Sequence, residues 1–353
     1  MPDAADAQLQ PGFSRQEYAD MLWMQFKGLA AQLPDGGNDV TLSSGQYRRL
    51  LLSPEVGLYN RCAVYLRQDG VIVLQLRGTV NKMESWLENF YAGMVPATGS
   101  LQLSSDYRFD YRVASHPQAT VHLGWLIGTG FLARSFTPVL DSLLAKGHQQ
   151  WIVSGHSQGG ALSFLVSSYL FYKYKGQYPQ LRIKTYASAA PKPGNQYYAY
   201  DFEHHIGHQW GFRIVNSDDW VPETPVSLQT VADYNEVNPL ISARATIRKQ
   251  KLLTRIFLNT VYGKLERKSR KSAAKFRKYL GNKLYKFVAK SLPGYQPPVL
   301  ASSMHYTTAG TPVVLMTNSA YKQRFAFDGK NYFVHHMLEP YLFLLDLYYP
   351  GTP

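Results

Sequence analysis

One cysteine, Cys62, stands among 353 residues, so no internal disulfide is available and the fold does not depend on an oxidising compartment. A lone cysteine of this kind reads as a small buried hydrophobe. Long apolar runs are also missing: the longest, near 161–170 and 341–345, fall well short of the ~20 residues that a spanning helix needs. The N-terminus, Met1-Pro2-Asp3-Ala4-Ala5-Asp6, is acidic and has no basic stretch leading into an apolar core, so no Sec-type signal is read there. These absences lead to the expectation of a soluble or peripheral protein, cytoplasmic or at a membrane surface, with secretion by a non-Sec route as the alternative. Neither a cluster of metal-ligating side chains nor a glycine-rich phosphate loop is found, so no metal and no cofactor is expected.

Acidic residues are nearly absent from one stretch. Between Arg244 and Lys290 stand 16 Lys/Arg against a single acid, Glu266, while the remainder carries 21 basic and 23 acidic residues; the net charge of +13 therefore resides in this segment. Leu252, Leu253, Ile256, Phe257, Thr260, Val261 and Leu265 form one apolar stripe at helical spacing. Phe276, Leu280, Leu284, Phe287 and Val288 form a second, interrupted by Gly281-Asn282. The spacing predicts two basic amphipathic helices within an insertion over 235–300. Docking of residues 244–290 on an anionic membrane is the first reading, because such helices place apolar faces at the acyl boundary and cations among headgroups. A solvated charged face leaves the stripes unexplained, and nucleic acid is not expected because no recognition motif accompanies the charge. Contact with an acidic protein partner or a self-associating surface is the remaining alternative.

The rest of the chain has what a sizeable core requires, with 45% hydrophobic and 14% aromatic residues. Ser14-Arg15-Gln16-Glu17 reads as a capping box opening a helix over about 15–33, closed by Pro34-Asp35-Gly36-Gly37. Strands are predicted at Arg61–Leu66, Val71–Leu76, Trp151–Ser154, Leu181–Ala187, Trp210–Val215, Val313–Met316 and Gln323–Phe327. Helices are predicted at Gly124–Ala145, Gly159–Lys173 and, opened by His335 and His336, His335–Leu347. The alternation implies one α/β domain over 1–353 with a mostly parallel sheet covered on both faces.

Gly155-His156-Ser157-Gln158-Gly159 joins the strand at 151–154 to a helix. A Gly-x-Ser-x-Gly turn there is a nucleophile elbow, which lifts the serine hydroxyl above the carboxyl edge of the sheet. Serine is a poor nucleophile at neutral pH, so a histidine must take its proton and a carboxylate must orient that histidine. With the chain order Ser, acid, His, the acid is sought at the strand end Asn216–Pro222, where Asp219 is preferred over Asp218. His305, His335 and His336 remain for the base. The N–H of Gln158 supplies one oxyanion donor, and Arg77-Gly78-Thr79, at another strand end, is placed to supply a second.

Together these parts resemble the class 3 lipase family, the fungal-type and plant lipases of the α/β-hydrolase fold. Leu76-Arg77-Gly78-Thr79 with Trp86 beyond it, Val121-His122-Leu123-Gly124-Trp125, Ser154–Leu162, Thr185–Asn195, Asn216–Pro222 and His336–Leu342 all carry the likeness, in order. The resemblance implies a catalytic triad of Ser157, Asp219 and His336, an oxyanion hole of Thr79 and Gln158 with the Thr79 hydroxyl as a third donor, and a structural role for His156. It also implies a lid within Val80–Gly99, with Trp86, Leu87, Phe90, Tyr91, Met94 and Val95 as its apolar face. The expected function is a serine lipase or esterase acting on lipid carboxylic esters, phospholipase A1-like at anionic membranes. The alternatives are a non-catalytic membrane-binding protein on a lipase-like scaffold and a lipase-type toxin effector. The basic insertion is foreign to the family's compact members.

Overall fold

The structure, a computed structural model, describes residues 9–30, 32–33, 37–240 and 242–351; the acidic stretch 1–6 and the turn at 34–36 lie outside them. In chain order, α1 (Arg15–Trp23) is followed by β1 (Asp39–Leu42), β2 (Gly45–Leu52), β3 (Cys62–Arg67), β4 (Ile72–Leu76), α2 (Met83–Phe90) and β5 (Met94–Pro96). Then come β6 (Thr98–Ser104), β7 (Tyr107–Arg112), β8 (Thr120–His122), α3 (Leu123–Ala145), β9 (Gln150–His156), α4 (Gln158–Tyr174) and β10 (Arg182–Ser188). The chain continues through α5 (Gln196–His205), β11 (Gly211–Asn216), α6 (Ala243–Arg248), α7 (Leu252–Arg277), α8 (Tyr285–Ser291), β12 (Thr311–Leu315), α9 (Ser319–Arg324) and α10 (Leu338–Tyr348).

Eight strands form one sheet in the order β1-β2-β3-β4-β9-β10-β11-β12. The pairs from β1 to β4 are antiparallel, and those from β4 to β12 are parallel. Alternation along each strand divides the side chains between two cores. Cys62, Val64, Leu74, Trp151 and Val153 pack under α3 and α4. Ala63, Tyr65, Val73 and Ile152 pack under α1 and α10. Helices cover both faces, as the near-continuous apolar strands require, and this is the α/β-hydrolase fold.

Local departures from the sequence reading have physical causes. The Ser14 hydroxyl accepts from the Glu17 N–H, but the reciprocal half of the capping box is not made. The Glu17 carboxylate instead takes Lys184 Nζ at 2.7 Å and the Tyr186 hydroxyl at 2.7 Å, because a buried ammonium without a counter-charge costs more than an uncapped amide. The helix passes into a π-turn at Met24–Gly28 and so ends short of residue 33. The strand predicted at Gln323–Phe327 is not formed: the Asn318 side chain caps α9 by accepting from the Tyr321 N–H, and Tyr321 and Phe325 then turn together into the core. His335 and His336 precede α10 rather than open it.

The two stripes of the basic segment part company. On α7, Leu253 is 82% and Phe257 66% exposed, with Leu252, Ile256 and Leu265 beside them. The second stripe turns inward after a π-turn at Lys278–Lys283. Val288 is fully buried, and Phe276 and Leu280 pack on the cluster of Met94, Ala273, Met304 and Tyr306. The Gly93 N–H donates to the Leu280 carbonyl at 3.2 Å, and a Cβ on Gly93 would lie 3.1 Å from Gly281 Cα, so a glycine pair permits this backbone approach. Among the described residues no helix is long and apolar enough to cross a membrane.

A Cβ on Gly124, in the first turn of α3, would lie 1.9 Å from the Glu88 carbonyl oxygen. Gly124→Ala is expected to destabilise by ~3 kcal/mol through forced separation of α2 and α3. Gly263→Ala, on open surface of α7, is expected to stabilise by ~0.5–1 kcal/mol. Scanning calorimetry of both variants gives the comparison.

Candidate active site

The corner between β9 and α4 is sterically closed. A Cβ on Gly155 would lie 2.3 Å from the backbone of Gly159, and one on Gly159 would lie 2.3 Å from the Leu76 carbonyl oxygen. Ser157, between them, takes φ 63° and ψ −129°, a region that non-glycine residues rarely occupy. Its N–H is held by the Ser188 carbonyl at 3.0 Å. The strain projects the side chain off the sheet edge into a cavity of about 710 Å³ that His336, Thr79 and Gln158 also line.

At the end of β11 the chain turns about Asn216, whose side-chain nitrogen donates to Tyr321 and to the His335 carbonyl. That turn separates the two candidate acids. Asp218 faces out to Thr317 and Lys322. Asp219 is buried and accepts three hydrogen bonds: from His336 Nδ1 at 2.7 Å, from the Tyr341 hydroxyl at 2.8 Å and from the Val221 N–H at 3.0 Å. With Nδ1 occupied, His336 presents Nε2 to the cavity. Burial and the neighbouring Asp219 charge push the Tyr341 phenol well above its ordinary range, so it stays a donor. The other candidate bases are turned elsewhere: His335 Nδ1 meets Tyr321 at 2.9 Å, and His305 does not line the cavity. Asp219 and His336 are thus joined, while no hydrogen bond joins Ser157 to His336.

His156, inside the elbow, acts as a strut. A carbonyl can only accept, so His156 Nε2 donates to the His336 carbonyl at 2.6 Å and Nδ1 must accept from Ser188 Oγ at 2.9 Å. Tyr18 in turn donates to Ser188 at 2.7 Å. Burial and the nearby His336 ring drive the His156 pKa well below its ordinary value, keeping it neutral. The strut anchors the loop that carries His336 to the elbow that carries Ser157. The contacts of Tyr341 and of the Tyr18–Ser188–His156 chain were not legible beforehand; Tyr341 was marked by its place on the core face of the last helix and within the His336–Leu342 likeness, and His156 by the structural role that the likeness implies.

The N–H groups of Thr79 and Gln158 donate to no acceptor among the described residues, and Gln158 is at the first position of α4, where no intrahelical partner exists. Two open donors therefore flank the elbow. The Thr79 hydroxyl, expected as a third, donates instead to Gln158 Oε1 at 2.9 Å, while Asn89 Nδ2 donates to it at 2.9 Å. Gln158 Nε2 donates to Glu88 Oε1 at 2.7 Å. Glu88 lies on the inner face of α2, with Ser85, and is fully buried; α2 occupies 83–90 of the segment expected as a lid.

Burial pushes the Glu88 carboxyl from 4.5 up to about 8. The folded chain thus keeps a proton that the unfolded chain releases. Its contribution to stability is fully present below pH 4.5 and is lost as pH rises through about 8. Urea unfolding at pH 5 and pH 8.5 is expected to show this loss in the wild type and a smaller one in Glu88→Gln.

Residues 73–229, which include Thr79, Ser157 and Asp219, match the family model described as Lipase (class 3). Over 194 residues the chain is 26% identical to the secreted mono- and diacylglycerol lipase 1 of Fusarium solani, covering 54% of this chain and 50% of that protein. The chain therefore spans about half the length of that relative. Among solved structures, the lipase from Rhizopus microsporus var. chinensis aligns at 20% identity and a TM-score of 0.45, covering 60% of this chain and 68% of that one. Lip2 lipase from Yarrowia lipolytica aligns at 16% identity and a TM-score of 0.45, covering 62% and 77% respectively. The β4 loop, the elbow and the turn after β11 thus all lie inside the segment that matches the class 3 lipase family model.

Proposed function

We propose that this protein is a serine carboxylic-ester hydrolase acting on lipids, with Ser157 as nucleophile, His336 as base and Asp219 as the group that orients it. The observation that carries the reading is the buried Asp219–His336 pair opening on the same apolar-walled cavity as the strained Ser157. Ser157 Oγ attacks the ester carbonyl carbon while His336 Nε2 takes its proton. The carbonyl oxygen becomes an oxyanion and accepts from the Thr79 and Gln158 N–H groups. Collapse expels the alcohol, which receives the proton from His336. Water, activated by the same imidazole, then attacks the acyl-serine and releases the fatty acid and Ser157.

The cavity walls suit an acyl chain: Trp86, Phe90, Phe276, Leu280, Phe333 and Met337 line it. Two of these, Phe276 and Leu280, come from the basic insertion. The exposed α7 stripe supports binding at a lipid surface. Eight Lys/Arg on α7 against Glu266 favour an anionic one, at about 1 kcal/mol for each cation near the headgroups. Phospholipids, cleaved in the manner of a phospholipase A1, are the substrates this charge favours. Partial acylglycerols are the second reading, on the likeness to the Fusarium solani protein.

A fluorophosphonate is expected to label wild-type protein and not Ser157→Ala, and Asp219→Asn is expected to lower kcat by ~10³–10⁴ through the wrong imidazole tautomer. Product analysis on phospholipid and diacylglycerol vesicles separates the two substrate readings. Hydrolysis surviving in Ser157→Ala refutes the mechanism. For docking, flotation with anionic vesicles is expected to recover the wild type at low salt, less at high salt, and far less of Ile256→Asp/Phe257→Asp. Equal recovery with neutral vesicles refutes electrostatic docking. These point changes leave the cavity wall intact, which removal of the whole segment does not.

A further inference from the structure

Glu88 ends a chain of hydrogen bonds in which every donor points the same way. Asn89 Nδ2 donates to Thr79 Oγ1, the Thr79 hydroxyl to Gln158 Oε1, and Gln158 Nε2 to Glu88 Oε1; Asn60 Nδ2 donates to the other Glu88 oxygen. The direction follows from the last acceptor. A carboxylate can only accept, so it turns the Gln158 amide nitrogen toward itself and leaves the amide oxygen to capture the Thr79 hydroxyl. A neutral carboxyl reverses this. Its O–H donates to the Gln158 oxygen, the turned amide donates to Thr79 Oγ1, and the Thr79 hydroxyl proton is released toward the cavity that Thr79 lines.

We propose that Glu88 is a positioning residue of the oxyanion hole: its protonation state sets the orientation of the Gln158 amide, and through it whether the Thr79 hydroxyl is tied to Gln158 or donates to the oxyanion. The inference rests on the hydrolase reading above.

The surroundings suit a carboxyl that changes state. Glu88 is packed against the glycines of α3: a Cβ on Gly128 would lie 2.4 Å from Glu88 Oε1, and one on Gly124 would meet its carbonyl. From the 58–60 loop it meets Asn60, from α4 Gln158, and from its own helix Ser85, which also reaches the Gln158 oxygen. The titratable group on the α3 side is His122, kept neutral by burial with its pKa brought down to about 3. At the end of β4, Arg77 is engaged by Glu55 and the Tyr59 carbonyl. With no cation to hold the charge, burial places the carboxyl's titration near pH 8.

The test is the pH dependence of kcat and KM on a water-soluble short-chain ester for wild type, Glu88→Gln and Thr79→Val. Glutamine reproduces the neutral carboxyl, since its nitrogen donates to Gln158 and its oxygen accepts from Asn60. The wild type is expected to lose kcat by ~10²-fold as pH rises through about 8, with KM unchanged, which is the effect of withdrawing one oxyanion donor. Glu88→Gln is expected to keep the neutral-pH kcat and lack the alkaline decline. Thr79→Val is expected to sit at the low level throughout. An alkaline decline that persists in Glu88→Gln, or full activity in Thr79→Val at pH 7, overturns the proposal.

A second readout does not depend on turnover. The Gln158 side-chain amide resonances in ¹⁵N NMR are expected to shift with the Glu88 titration in wild type and to stay fixed with pH in Glu88→Gln. Static resonances in wild type overturn the relay even where fluorophosphonate labels Ser157. A shift without labelling leaves the relay standing and overturns the hydrolase reading.

Discussion

Between β9 and α4 there is room for backbone alone at two of five positions, and this shortage of space governs the geometry of the whole site. Because Gly159 lies against the end of β4 and Gly155 against Gly159, the turn can close only with Ser157 in a left-handed conformation. The same approach brings Leu76, and with it the Arg77–Thr79 loop, beside the first turn of α4. The Ser157 hydroxyl, the Gln158 N–H and the Thr79 N–H are therefore placed by one packing contact rather than by three separate devices. The strain at Ser157 is borne by a sheet whose central strands are buried on both faces.

From that corner, two polar chains run outward in opposite directions. One passes through His156, Ser188 and Tyr18 and pins the His336 backbone to the elbow. The other passes through Gln158 to Glu88 and ties α2 to the Arg77–Thr79 loop. Both are buried and nearly every member has its partner, which is the condition under which such networks rigidify a site instead of weakening it. Their terminal groups differ: the first ends in a tyrosine pushed far above its ordinary pKa, the second in a carboxyl brought into the range of physiological pH.

The basic insertion has two halves with different physical tasks. Its second half is part of the body, joined at a glycine pair to the strand after α2 and contributing Phe276 and Leu280 to the cavity wall. Its first half carries Leu253 and Phe257 into solvent. One continuous helix connects them, so a surface that engages the exposed half lies on the same rigid element as a wall of the cavity.

Much of this was legible beforehand, and the limit has a clear cause. The elbow, the helix and strand periodicities around it and the order of acid and histidine are local or nearly local properties, written as spacing and residue type. Ser157, Asp219, Thr79 and Gln158 could be named on those grounds, with the family likeness deciding for His336 over His305 and His335. Pairings between residues far apart were not legible. Glu17 abandons its cap for Lys184, 167 positions away, and the hydroxyl of Thr79 turns to Gln158, 79 positions away, because burial decides which polar groups must find partners. Periodicity marks both apolar stripes of the insertion equally. Only the tertiary structure turns one toward the core and leaves the other in solvent, since a helical pattern records that a face is apolar and not what it meets.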